Sequence, residues 1–190
     1  MEYLYTDRPI KYGQMIFVKL GSRPRLYNAT TLLEKGIDSV TSIGNWLISS
    51  TTTKEQYTYT KKRRFLPDKR ETAYSYNQTF KLYQAKKGEL VLDELTSYEM
   101  YSEKLLLYQN GSPKSIYASD GSSEIQNLRD FEIIDDSYFV SGPEDVRTLY
   151  HTSNLEPVIT GNYDLFLFKE NTIYALGDTI NEIAPLDIYN

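Results

Sequence analysis

One short phrase recurs along this chain and limits what it can become: an aliphatic residue, then tyrosine, then a polar turn. It occurs as Arg25-Leu26-Tyr27-Asn28, Lys81-Leu82-Tyr83-Gln84, Ser115-Ile116-Tyr117-Ala118, Thr148-Leu149-Tyr150-His151 and Thr172-Ile173-Tyr174-Ala175. An apolar stretch of strand length precedes most copies: Met15 to Leu20, Lys104 to Gln109, Ser137 to Ser141 and Asp164 to Phe168. Before the second copy the corresponding stretch is Asn45-Trp46-Leu47-Ile48, displaced by an insertion. From Tyr27 the tyrosines follow at intervals of 56, 34, 33 and 24 positions, the first swollen by that insertion. The middle values are steady and the last is short; recurrence at this spacing is the mark of a repeat architecture, in which each unit buries its apolar face only against its neighbours.

The clearest unit runs from Tyr98 to Leu128. Tyr98-Glu99-Met100-Tyr101 and Leu105-Leu106-Leu107-Tyr108 read as two strands, the second turning at Asn110-Gly111. Ile116-Tyr117 marks a third, turning at Asp120-Gly121, and Glu124 to Leu128 a fourth. Asn-Gly and Asp-Gly are strong hairpin signals because a type I′ turn needs positive φ at both central residues. The order repeats with Phe131-Glu132-Ile133-Ile134, Tyr138-Phe139-Val140 and Leu149-Tyr150. Five units in 190 residues average 38 each, a little under the roughly 40–45 of common propeller repeats. The pattern resembles β-propeller blades in general over most of the chain. It lacks the Gly-His…Trp-Asp pairing, the kelch double glycine and the sialidase-type Asp box, so it points to no particular propeller family.

The expected fold is therefore all-β: repeated antiparallel meanders forming a small five-bladed β-propeller, with an open meander array or a β-sandwich as alternatives. The chain reads as a single β-repeat domain over 1–190, interrupted by a hairpin arm at 49–79. Closure of a ring would need Ile188-Tyr189 to join Tyr3-Leu4-Tyr5 in a shared blade, removing exposed edges. Helix is expected only as a turn or two over Thr30-Thr31-Leu32-Leu33-Glu34-Lys35-Gly36, with a threonine cap and a glycine stop. Glu89 to Met100 has helix-compatible spacing too, but β readings suit its neighbours better.

Composition agrees with strands. Eighteen of the residues are tyrosine, whose flat ring packs on a half-buried pleated surface while its hydroxyl reaches water. The absence of cysteine removes disulfides, thiol catalysis and cysteine-held zinc, and fits a reducing compartment. The start, Met1-Glu2-Tyr3-Leu4-Tyr5-Thr6-Asp7-Arg8, shows neither the basic region nor the apolar run of a signal peptide. No apolar run approaches membrane-spanning length. A cytoplasmic protein, or a virion component assembled in a cytoplasm, is the expectation, with no membrane partner. The sequons at Asn28, Asn77 and Asn110 then carry little weight, since glycosylation requires secretion.

The insertion, roughly Ser49 to Thr79, departs from the repeat. Its flanks alternate, with Tyr57 and Tyr59 on one and Tyr74, Tyr76, Phe80 and Leu82 on the other, so that tyrosines of one parity share a strand face. Its tip reads Lys61-Lys62-Arg63-Arg64-Phe65-Leu66-Pro67-Asp68-Lys69-Arg70. From Lys54 to Arg70 seven basic residues face two acidic ones, a net +5 in a chain of net −5, leaving −10 elsewhere. Lys61, Lys62, Arg63, Arg64, Phe65, Leu66, Lys69 and Arg70 are the candidate binding residues. Basic groups with interleaved aromatics suit an acidic protein surface, a second copy included, or a nucleic acid. They also suit a solvated loop that keeps a strand edge soluble. Phe65-Leu66 leans toward a partner, because bulky apolar residues are wasted in bare solvent.

Catalytic motifs are thin. His151 is the only histidine, so a metal site would lean on carboxylates and a triad would need this one ring; an outward strand residue or turn contact is the plainer reading. Asp135, Asp136, Glu144 and Asp145 cluster in sequence and offer carboxylates of the kind that pair in glycoside hydrolysis, yet they sit where acidic residues shape turns. Trp46 opens an apolar strand and reads as core. There is no P-loop, dinucleotide fingerprint or EF-hand spacing. No enzyme, cofactor or metal is expected. The leading expectation is a non-catalytic binding or assembly module, such as a structural component of a bacterial or phage assembly, docking through the basic aromatic arm on a protein partner or another copy. A nucleic-acid contact protein using the same arm, or a carboxylate hydrolase, are the alternatives.

Overall fold

In the computed structural model residues 9–19, 24–65, 67–169, 172–177 and 180–183 are described, and none of them is helical. Five antiparallel sheets follow one another along the chain. The first holds β1 (Ile10–Tyr12), β2 (Met15–Val18), β3 (Arg25–Asn28) and β4 (Thr31–Lys35). The second holds β5 (Ser39–Ile43), β6 (Trp46–Lys61), β7 (Lys69–Gln84) and β8 (Glu89–Leu95). The third contains β9 (Ser97–Tyr101), β10 (Lys104–Gln109), β11 (Ser112–Ala118) and β12 (Glu124–Gln126). The fourth contains β13 (Glu132–Ile133), β14 (Tyr138–Ser141), β15 (Arg147–His151) and β16 (Pro157–Gly161). The last has β17 (Leu165–Lys169), β18 (Thr172–Leu176) and β19 (Ile180–Ile183). Within each sheet the strands lie in chain order, the meander of a propeller blade.

The recurring phrase has one structural meaning. Leu26, Leu82, Ile116 and Leu149 sit on the third strand of their four-stranded sheets, and Ile173 on the middle strand of the last. An interior strand is hydrogen-bonded along both edges, and each of these aliphatic side chains is buried. The fold class is thus all-β and built from five blade-like meanders.

Two compact units divide the chain, Met1–Ser97 and Tyr98–Asn190. In the first, Met15 and Leu26 pack with Ile37, Leu47, Tyr83 and Ala85, so the first two sheets share one core. The turn between β1 and β2 presses against the second sheet: Gln14 N–H donates to the Ala85 carbonyl at 3.2 Å. Gly13 (φ +58°) makes that approach, and a Cβ there would lie 2.4 Å from the same oxygen. In the second unit Leu106, Ile116, Leu128, Phe139 and Leu155 join the third and fourth sheets. Tyr138, Val140, Leu149, Phe166, Ile173 and Ala175 join the fourth and fifth. Polar contacts follow the same seams. Tyr101 donates to the Asp135 carbonyl at 2.7 Å, and the Arg147 guanidinium, held by Glu132 of its own sheet at 2.8 Å, reaches the Asp164 carbonyl at 3.0 Å.

Thr30–Gly36 is not helical. Thr31–Lys35 is β4, paired with β3 through Tyr27↔Leu32 and Leu26↔Glu34. Ala29 adopts positive φ (49°) and turns the chain back on itself, and Leu33 then packs on the first core. A tertiary partner has overridden a weak local propensity. Glu89–Leu95 and Ser97–Tyr101 are likewise strands. Asn110 and Gly111 both take positive φ, 53° and 78°, as a type I′ turn requires. At the second expected hairpin only Gly121 does, and Asp120 instead accepts the Ser122 N–H at 2.8 Å. The strand expected at Tyr3-Leu4-Tyr5 and its partner at Ile188-Tyr189 lie outside the described residues.

Candidate functional site

The arm is the second and third strands of the second sheet, drawn out far beyond their neighbours. β6 and β7 pair without a break from Trp46↔Gln84 to Lys61↔Lys69. β5 supports β6 only as far as Ser50, and β8 supports β7 only as far as Phe80. From Thr51↔Thr79 outward the ribbon has two strands of 11 residues each, about 35 Å at the usual rise per residue. Threonines recur along it and its tyrosines alternate with threonine or serine, a composition that favours extended backbone. A two-stranded hairpin alone is marginal in water, so the root has to hold it. Trp46, Leu47, Ile48, Leu82 and Tyr83 are all buried there. Glu34 on β4 clamps the root from the first sheet: it accepts the Ser49 hydroxyl at 2.6 Å and meets the Lys81 ammonium at 2.5 Å. Burial, with Glu34 alongside, pushes the Tyr83 hydroxyl well above the ordinary phenol range.

The register gives the ribbon two unlike faces. Residues directly opposite each other share a face, so Tyr57 and Tyr59 lie with Ala73 and Glu71 on one side. Lys54 and Gln56 lie with Tyr76 and Tyr74 on the other. On the first face the Tyr59 hydroxyl donates to Glu71 at 3.0 Å. The Lys61 and Lys69 ammoniums stand 3.8 and 3.7 Å from the same carboxylate. The Tyr59 bond, aided by these cations, holds the Glu71 carboxyl below its usual range, and that bond to an anion pushes the Tyr59 phenol up. On the opposite face the Lys54 ammonium rests 3.8 Å from the Tyr74 ring centroid, within cation–π reach. Tyr57, Tyr59, Tyr74 and Tyr76 are 51%, 43%, 49% and 65% exposed, so neither face is covered.

At the tip Lys61 ends β6, Lys69 and Arg70 open β7, and Lys62, Arg63, Arg64 and Phe65 lie in the connecting loop. Leu66 lies outside the described residues. Phe65 is 88% exposed, with the Arg64 guanidinium 5.7 Å from its ring centroid. Among the described residues Lys62, Arg63, Arg64 and Arg70 enter no ion pair, whereas Lys61 and Lys69 are shared with Glu71. Sequence reasoning missed Glu71 because its charge count stopped one residue short. It also missed the Lys54–Tyr74 contact. Both follow once the strands are aligned symmetrically about the tip, a register that the alternating tyrosines alone leave open.

The remaining candidates play local structural parts. His151 lies on β15 with its ring 5.0 Å from that of Tyr138, edge to face. Its Nδ1 accepts the Ser153 N–H at 3.2 Å and contacts the Ser153 hydroxyl at 2.8 Å, closing a turn. Asp135 accepts the N–H groups of Ser137 and Tyr138, both at 2.8 Å, and so shapes the turn into β14. Trp46 is buried. A cleft of about 450 Å³ in the second unit is lined by Asp130, Glu144, Arg147, Tyr163 and Asp164, and one of about 250 Å³ by His151, Asn154, Glu156, Pro157 and Val158. Among the described residues no three metal-binding side chains converge, and no helix is long and apolar enough to cross a membrane.

No protein-family model matches the chain, and no curated protein matches its sequence. Solved structures give distant likenesses. Hsv2 of Kluyveromyces marxianus is 10% identical, with a TM-score of 0.33 over 79% of this chain and 48% of that one. The β-propeller domain of Cps50 (Swd1) from Myceliophteria thermophila is 9% identical, with a TM-score of 0.26 over 97% and 71%. The AfRom2 CNH domain is 11% identical, with a TM-score of 0.27 over 97% and 81%. The chain spans about half the length of the Hsv2 structure. Likenesses this distant transfer no ligand or activity.

Proposed function

We propose that the chain is a non-catalytic binding module of a multi-subunit assembly, which docks on an acidic protein surface through the arm Thr51–Thr79. The observation that carries this reading is the arm's exposure. Four tyrosines and Phe65 stand between 43% and 88% open on an element that its own sheet does not cover. Exposed aromatic surface rimmed by charge marks interaction sites. Tyrosine and arginine are also the side chains that dominate interface energies. The free edges of the ribbon add unpaired backbone donors and acceptors that an extended partner segment can complete.

A nucleic acid is the competing ligand, since cations beside aromatic rings also suit phosphates and bases. The acidic remainder of the chain, net −10 outside the segment Lys54–Arg70, weighs against it by repelling a polyanion. The chain lacks cysteine, so a Thr58→Cys variant takes a single fluorophore on the exposed arm. The labelled protein is titrated with polyglutamate and with a short DNA duplex at near-physiological salt. Saturable binding of polyglutamate, weakened about tenfold or more by replacing Lys61, Lys62, Arg63 and Arg64 with serine, is the expected outcome. Tighter binding of the duplex, with a steep logarithmic salt slope, would transfer the arm to nucleic acid. No response to either polyanion would remove the arm from the function.

A further inference from the structure

The charge of this chain is divided between its two compact units. Met1–Ser97 holds 16 basic and 10 acidic residues, net +6, whereas Tyr98–Asn190 holds 5 and 16, net −11. The segment Lys54–Arg70 alone is +5, so the rest of the first unit is close to neutral. The excess positive charge is therefore gathered on the arm, and the excess negative charge on the other unit. Neither is neutralised locally. The only carboxylate ion-paired to the arm's cations, among the described residues, is Glu71. In the second unit the ion pair among the described residues is Arg147–Glu132; the exposed carboxylates of Asp130, Asp136, Glu144 and Asp145 have none.

We propose that the arm's partner is a second copy of this chain, whose acidic unit Tyr98–Asn190 receives the arm. This rests on the reading of the arm as a protein-docking element and supplies the partner's identity. Each copy offers one arm and one acidic unit, in equal number by construction. Complementary fields of this size steer encounter and fix orientation. Direct arm-to-arm pairing would set two +5 segments against each other, and like-charge juxtaposition at an interface is strongly unfavourable. An arm that meets an acidic unit does so either reciprocally, in a two-fold dimer, or head to tail, in a ring or filament.

The test uses full-length protein and three forms: wild type, an arm variant (Lys62, Arg63, Arg64 and Arg70 to serine) and an acid variant (D130N, D136N, E144Q, D145N). Asp135 is left intact because it caps the turn before β14. Mass is followed by light scattering across a wide concentration range, at about 0.1 M salt and again near 1 M, where screening shortens from roughly 10 to 3 Å. Wild type should assemble at low salt and dissociate at high salt, and each variant should be monomeric alone. Mixing the two variants should give mixed dimers, because one supplies the arm and the other the acidic unit. Excess arm variant should trim wild-type assemblies in the same way. A wild type that stays monomeric while its labelled arm still binds polyglutamate overturns the second copy as partner and leaves the docking reading standing. An arm variant that assembles like wild type overturns both, as does assembly without any mixed dimer in a protein whose labelled arm ignores polyglutamate.

Discussion

At the scale of single residues, the chain's many tyrosines divide into two populations with opposite consequences. Those on interior strands are structural. Burial, with Glu124 nearby, pushes the Tyr117 hydroxyl up to about 12, and burial with the Glu99 bond does the same for Tyr108. An unfolded phenol ionises near pH 10. Between about pH 10 and 12 the native state therefore holds protons that the unfolded chain has released, and stability falls as pH rises. Tyr117→Phe should flatten that alkaline loss by on the order of 2 kcal/mol in urea titrations at successive pH values. An unchanged slope would show that Tyr117 is not the group responsible. The arm tyrosines, in contrast, hold charges in place. Tyr59 and two lysines converge on Glu71. Glu71→Gln removes one negative charge and releases those lysines, so polyglutamate should bind several-fold tighter at low salt; weaker binding would mean that Glu71 positions the contact instead of masking it.

At the scale of elements, the arm and its root should separate cleanly. Thr51 faces Thr79 across the ribbon. Replacing residues 52–78 with Asn-Gly therefore closes a two-residue hairpin of the favoured type. Everything removed lies beyond the buried part of the strands, so the cost should stay below about 1 kcal/mol. Leu82→Ala, at a fully buried root position, should cost about 2–5 kcal/mol. Chemical denaturation of both variants decides the point. Equal losses would mean that the ribbon is part of the folding unit. Elements are also where the sequence was most readable and most deceptive. The aliphatic–tyrosine phrase located an interior strand of all five sheets, because its aliphatic residue is a buried core position in every copy. Thr31–Lys35 deceived because its cap-like threonine and terminal glycine are also what a strand between two turns displays. Ser102 and Glu103 take positive φ, 44° and 60°, at a hairpin that no asparagine or glycine announces. The arm was legible as a hairpin, but its two faces were not, since register depends on a tip that composition does not fix.

At the scale of the whole molecule, a repeated scaffold carries one element that leaves it. Consecutive meanders share cores: Met15 with Leu47 in the first unit, and Leu106 with Phe139 and Leu149 with Phe166 in the second. This is the sense in which no meander stands alone. The arm takes no part in those cores, and the division of charge between arm and acidic unit gives it somewhere to go. Hydrogen exchange read by mass spectrometry compares the two regions in one experiment. In dilute protein at high salt, amides around Leu47 and Leu82 should exchange slowly, and those of 51–61 and 69–79 should exchange fast. In concentrated protein at low salt the arm amides should slow by an order of magnitude or more while the root stays unchanged. Assembly that leaves arm exchange as fast as before would contradict the claim that the arm is the docking element.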